Sequence, residues 1–149
     1  MSMSRRQVLG AGAAGVLSGI VGPAGARDDD ALDRAVAAFT TGAAPSDSSA
    51  LTLETPEIAE NGHSVGVSVS VDSPMSEADH VEAIMLLAPR NPNLVVATFR
   101  FGPASASARV ATRIRLAESQ SLLALARTST GAVYRASRTV RVTVGGCHG

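Results

Sequence analysis

A single cysteine, no lysine and no tryptophan stand among the 149 residues, and aromatics make up only 3%. One thiol can neither close a disulfide within the chain nor supply a Cys₄ zinc or iron–sulfur site, so any thiol chemistry rests on Cys147. All thirteen basic residues are arginine and thirteen acids balance them, so the chain lacks the net positive footprint of a duplex-DNA binder. No nucleic-acid partner is expected. No run of about 20 apolar residues is present, so no membrane span is expected either. What is there, 45% hydrophobic and 17% charged residues, suits one globular domain of modest size rather than a disordered tail.

The first 26 residues read as an address. Ser4-Arg5-Arg6-Gln7-Val8-Leu9-Gly10 places an arginine pair before a weakly apolar run, Val8 to Val21, and Ala24-Gly25-Ala26 has the small-x-small form cut by a signal peptidase. This order predicts a twin-arginine (Tat) signal peptide over 1–26, a mature start at Arg27 and a periplasmic location. The mature chain then holds 11 arginines against 13 acids, a charge of about −2. From Ser119 onward there are four arginines (Arg127, Arg135, Arg138, Arg141) and no acid, which predicts a locally positive field.

Residues 27–50 read as a helix and a linker. Asp28 to Asp30 can cap a helix whose Leu32, Val36 and Phe39 recur at i, i+4 and i+7, and Gly42 stops it. Ala43 to Ala50, with Pro45 and three serines, follows as the linker. Beyond it the period changes. Val65, Val67, Val69 and Val71 alternate with Gly66, Ser68 and Ser70, the pattern of a half-buried strand.

Turn signals at Asn61-Gly62, Asp72-Ser73-Pro74, Asn91-Pro92-Asn93, Gly102-Pro103 and Gly131 then bound seven candidate strands. They lie near 51–55, 64–71, 81–88, 94–101, 108–116, 121–129 and 132–144, the last read either as continuous or as broken around Ala136 and Ser137. No crossover helices separate them, so the expected fold is mainly β. It is an immunoglobulin-like antiparallel sandwich of about seven strands over 51–144, with a short N-terminal helix and a flexible C-terminal arm over 145–149. Ile84-Met85-Leu86-Leu87 is apolar without alternation, so its outer face needs a cover, either the N-terminal helix or a partner subunit.

The unusual chemistry sits at the end, in Val142-Thr143-Val144-Gly145-Gly146-Cys147-His148-Gly149. Gly145 and Gly146 lack a Cβ restraint, and three residues beyond Val144 can carry the thiol about 10 Å from the body. A Cys nucleophile needs a fixed base and an oxyanion site, and a glycine tether fixes neither. Neighbouring side chains on an extended chain point to opposite faces, which disfavours a rigid pair of Cys147 with His148. His63 and His80 fall at strand or turn edges and read as exposed polar residues. A blue-copper site needs a soft ligand downstream of the cysteine, and only two residues follow it here. A soft-metal or redox module using Cys147 with His148 stays open. The acids Glu54, Glu57, Glu60, Asp79 and Glu82 have no spacing that specifies a shared site and read as solvated faces, with no catalytic residue and no metal ligand among them.

The chain resembles the SoxY family, the sulfur-carrier subunits of the thiosulfate-oxidising Sox system. The twin-arginine leader, Thr55-Pro56-Glu57-Ile58-Ala59-Glu60-Asn61-Gly62, Ser73-Pro74-Met75-Ser76-Glu77-Ala78-Asp79, Asn91-Pro92-Asn93 and Ala97-Thr98-Phe99-Arg100-Phe101 carry it. So do Thr112-Arg113-Ile114-Arg115-Leu116-Ala117-Glu118-Ser119-Gln120 and the closing Val142-Thr143-Val144-Gly145-Gly146-Cys147. The terminal Gly-Gly-Cys is the specific element; the other segments are expected to fix the fold. The resemblance implies a carrier without an active site of its own and without a cofactor beyond the covalent sulfur adduct on Cys147. It implies a heterodimer with a SoxZ-like subunit, haem enzymes that couple thiosulfate to the cysteine, and a hydrolase that releases sulfate. Gly145, Gly146, His148 and Gly149 would form the arm. The family's tail reads Gly-Gly-Cys-Gly-Gly, and His148 departs from it.

Overall fold

The computed structural model describes residues 25–145. In chain order they form α1 (Gly25–Thr40), β1 (Ser46–Asp47), β2 (Leu51–Glu54), β3 (Ile58–Ala59), β4 (Val65–Val71) and β5 (Val81–Leu87). Then come β6 (Val95–Arg100), β7 (Ala108–Ile114), β8 (Gln120–Thr128) and β9 (Val133–Val142). The signal peptide expected over 1–26 lies almost wholly outside the described residues.

Alternation builds one sheet, in the order β2-β4-β7. The four valines of β4 are buried while Gly66, Ser68 and Ser70 point away from the core. Leu51 and Leu53 of β2 follow the same rule. The second sheet runs β1-β9-β8-β5-β6, with β3 also paired to β9. The seven long strands therefore divide three and four around a common apolar layer, each fully buried Val, Leu or Ile contributing roughly 1.5–3 kcal/mol. The expected sandwich is present, and its main ladders are antiparallel.

Four details refine the sequence reading. Two short strands add to the expected seven, and both β1 and β3 pair with β9 in parallel. They lie along the edge that β9 would otherwise leave open. β9 is not broken at Ala136 and Ser137, which stay in register with Ala124 and Leu123 of β8. The linker expected over 43–50 contains β1. The helix starts at Gly25, upstream of the acidic trio, so Asp29 and Asp30 lie inside its first two turns. Carboxylates there still face the positive end of the helix dipole. At the other end the expected stop holds: Gly42 takes a φ of 93°, two residues after the helix ends.

The non-alternating strand is covered by the helix. Ile84 and Leu86 enter the main core, while Met85 and Leu87 point outward with Leu125 and pack against Leu32, Ala35, Val36 and Phe39 of α1. Leu87 and Leu125 are 0% exposed in this single chain, so that face needs no second subunit to hide it. Arg127 fastens the arrangement. It donates to the Phe39 carbonyl at 3.0 Å and to Glu82 at 3.2 Å, and its guanidinium lies 5.4 Å from the centre of the Phe39 ring.

Candidate functional site

β9 leads toward the cysteine, so whatever holds its end sets the origin of the arm. On one side β3 pairs with it, Ile58 opposite Arg141 and Ala59 opposite Val142. Arg141 N donates to Glu57 O at 2.8 Å and Thr143 N to Ala59 O at 3.0 Å. The clamp continues past the strand, where Thr143 Oγ1 donates to Glu60 O at 2.8 Å and Gly62 N donates to Val144 O at 2.8 Å. On the other side Val142 N donates to Ser119 Oγ at 2.8 Å. Each residue from Arg141 to Val144 is therefore tied to a loop.

Those loops are themselves fixed by a polar cluster. Leu116 N donates to Gly62 O at 2.8 Å, joining the two clamping segments. Asn91 Nδ2 donates to Arg115 O at 2.7 Å, and Asn91 Oδ1 accepts from Ala117 N at 2.9 Å and Gln120 Nε2 at 3.0 Å. Gln120, 6% exposed, also accepts from Arg90 N at 3.0 Å. A hydrogen bond of this kind contributes about 0.5–1.5 kcal/mol net, whereas leaving a buried partner unsatisfied costs about 1–3 kcal/mol. The nearby Arg90–Glu118 pair, with both side chains more than half exposed, adds little.

The cluster presents the Ala117 carbonyl to the first residue of the arm. A Cβ on Gly145 would run into that oxygen, so glycine is needed here for close approach. Gly146, Cys147, His148 and Gly149 lie outside the described residues. The segments 55–62, 91–93, 112–120 and 142–145 thus converge on one place. They do more than fix the fold, for they hold the root of the arm.

The side chains of the other candidate residues take no part in the clamp, although Glu57 and Glu60 lend it their backbone carbonyls. His80 Nδ1 lies 3.0 Å from Ser76 O in a turn, and His63 sits in an exposed turn where its N–H donates to Asn61 Oδ1. Glu54, Glu57 and Glu60 are exposed. Glu82 is engaged by Arg127. No group of three or more His, Cys, Asp or Glu that could hold a metal is found among the described residues. The expected positive field is reduced, because Arg127 pairs with Glu82 and Arg135 with Asp47. Arg135 Nε and one terminal nitrogen reach the two Asp47 oxygens at 3.1 and 3.2 Å, and this hydrogen bonding, helped by the charge, lowers the Asp47 pKa from its ordinary value. A groove of about 560 Å³ lies on the outer face of β2-β4-β7, over Gly66, Ser68 and Thr112, and gathers no chemistry-bearing cluster.

Asn91, Ser119, Gln120 and Thr143 are the residues that sequence reasoning missed. Asn91-Pro92-Asn93 signals a turn, but nothing local shows that its first side chain reaches residues 24 to 29 positions away.

The fold and this root define a small β-sandwich whose last described strand is clamped just ahead of the cysteine-bearing segment. The chain belongs to the SoxY family: the model of sulfur oxidation protein SoxY matches residues 36–147, a span that takes in Cys147. Among solved structures it is similar to the sulfur carrier protein SoxY from Chlorobium limicola f thiosulfatophilum. That match has 34% identity and a TM-score of 0.64, and covers 78% of this chain and 99% of that one. The superoxide reductase (neelaredoxin) from Ignicoccus hospitalis shares the fold at 24% identity and a TM-score of 0.55, over 62% of this chain and 79% of that one. The superoxide reductase from Nanoarchaeum equitans does so at 11% identity and a TM-score of 0.51, over 61% of this chain and 91% of that one. Curated proteins gave no match.

Proposed function

We propose that this chain is a periplasmic sulfur carrier of thiosulfate oxidation, exported by the Tat route and holding its cargo on Cys147. The observation that carries the reading is the family match running through Cys147, directly beyond a root that fastens the preceding strand. In the loading step the Cys147 sulfur bonds to the outer sulfur of thiosulfate, the thiol proton goes to solvent, and two electrons pass to a haem enzyme. The product is a cysteine S-thiosulfonate. Water then attacks the sulfonate sulfur in a hydrolytic enzyme, the sulfur–sulfur bond breaks, sulfate leaves, and the cysteine keeps the remaining sulfane sulfur.

Division of labour follows from the geometry. The carrier supplies one thiol on a short tether, and each partner supplies the acid, base or electron acceptor that a tether cannot position. A SoxZ-like subunit completes the carrier as a heterodimer. Support for that partner comes from the family alone, since α1 already covers the apolar face of β5. The test is the intact mass of the chain isolated from the periplasm of cells given thiosulfate. A mature chain starting at Arg27 with a sulfur-containing addition on Cys147 is expected; a bare thiol or bound metal overturns the carrier reading.

A further inference from the structure

The short reach of the arm constrains every enzyme that uses it. This inference rests on the carrier reading. Gly145 is seated against Ala117, and Cys147 follows two residues later, so even an extended tail places its Cα only about 7 Å beyond the seat. An enzyme whose reacting group is recessed from its surface must therefore press its mouth onto the residues around the root.

Those residues differ from the rest of the surface. Among the described residues only three large hydrophobic side chains are well exposed: Ile58 at 57%, Val144 at 59% and Val95 at 43%. Two of the three belong to the root. Ile58 is on β3, opposite Arg141, and Val144 is the residue whose carbonyl accepts from Gly62. Their backbones build the clamp while their side chains remain in water. Glu57 and Glu60 flank Ile58, are exposed, and make no ion pair among the described residues. An apolar centre with a polar rim is the usual anatomy of a protein–protein contact.

We propose that Ile58 and Val144 form an apolar collar around the arm's root, on which the mouth of each enzyme processing Cys147 docks, with Glu57 and Glu60 at its rim. Val95, on the edge strand β6, lies outside the collar and serves as the control. The test measures sulfate release from the sulfur-loaded full chain, in complex with its partner subunit, by the hydrolytic enzyme over a range of carrier concentrations. Ile58→Asp and Val144→Asp each raise KM about tenfold while kcat and the melting temperature stay near wild type, and Ile58→Leu restores the wild-type KM. Alkylation of Cys147 by iodoacetamide stays unchanged in all of them, because a small reagent needs no docking. Wild-type KM in both aspartate variants overturns the collar, as does an equal rise in Val95→Asp. A wild-type chain that never takes up sulfur overturns the carrier reading itself, and that failure is seen before any variant is compared.

Discussion

The sandwich body and the root of the arm are held by different forces. In the body, side chains such as Leu53, Ile84, Leu86 and Leu122 are almost wholly removed from water, and stability follows the apolar area buried. At the root, residues 141–144, exposed except for the half-buried Val142, are fixed by hydrogen bonds to Glu57, Ala59, Glu60, Gly62 and Ser119; Asn91 and Gln120 tie down the segment that carries Ser119, and Leu116 joins it to Gly62. Burial tolerates small shifts as long as volume is filled, whereas a hydrogen-bonded clamp fixes position to within a few tenths of an ångström. The body therefore sets whether the chain folds, and the root sets where the thiol starts from. Changes in one should leave the function of the other measurable.

The largest expected effect is on cargo alone. Cys147→Ser should abolish sulfur loading, read by intact mass, with no change in melting temperature, because no described packing depends on this residue and only its sulfur can form the bond. Next comes a break in the body. Leu125→Ala empties a fully buried site between β8 and α1 and should cost about 2–5 kcal/mol by denaturant unfolding, yet loading per folded molecule should stay at the wild-type rate. If loading fell as far as stability, the two regions would not be separable.

Asn91→Ala crosses the boundary. It strips partners from Ala117 N, Gln120 Nε2 and Arg115 O, and should cost about 1–3 kcal/mol while slowing enzymatic processing of a loaded chain several-fold. Iodoacetamide should still react at the normal rate. The smallest effect belongs to Asp47→Asn. The bridge to Arg135 lowers the native carboxyl pKa, so its stabilisation is present above the ordinary value of 3.8 and lost as pH falls through the native one. Both groups are exposed, so the variant should melt only slightly below wild type at neutral pH, and the gap should close under acid.

Body and root also differ in how much of them the sequence reveals. Val65 to Val71 reports its strand by alternation alone, and Ile84 to Leu87 reports by its lack of alternation that a second layer must lie over it. The seven long strands are legible for that reason. The root is not, because its parts are too short or too distant to carry a period. Two residues of β3 or β1 show no repeat, and their parallel pairing exists only once β9 is in place. Arg135 reads as free positive charge until Asp47, 88 positions away, is brought beside it. Gly145 reads as freedom, while the structure shows an added side chain blocked by a backbone oxygen 28 residues earlier in the chain. Composition and position make Cys147 the expected reactive group, and what it would carry comes from the family resemblance, not from any local pattern.

If a fixed root delivers the thiol at a set reach, the length of the arm decides turnover. Deleting Gly146 leaves the Gly145 seat and the clamp untouched and draws Cys147 back by about 3.5 Å. The decisive measurement compares, for this variant and wild type, the rate of sulfate release by the hydrolytic enzyme with the rate of alkylation by iodoacetamide. Enzymatic release should fall at least tenfold while alkylation stays unchanged. Release at the wild-type rate from the shortened arm would contradict it.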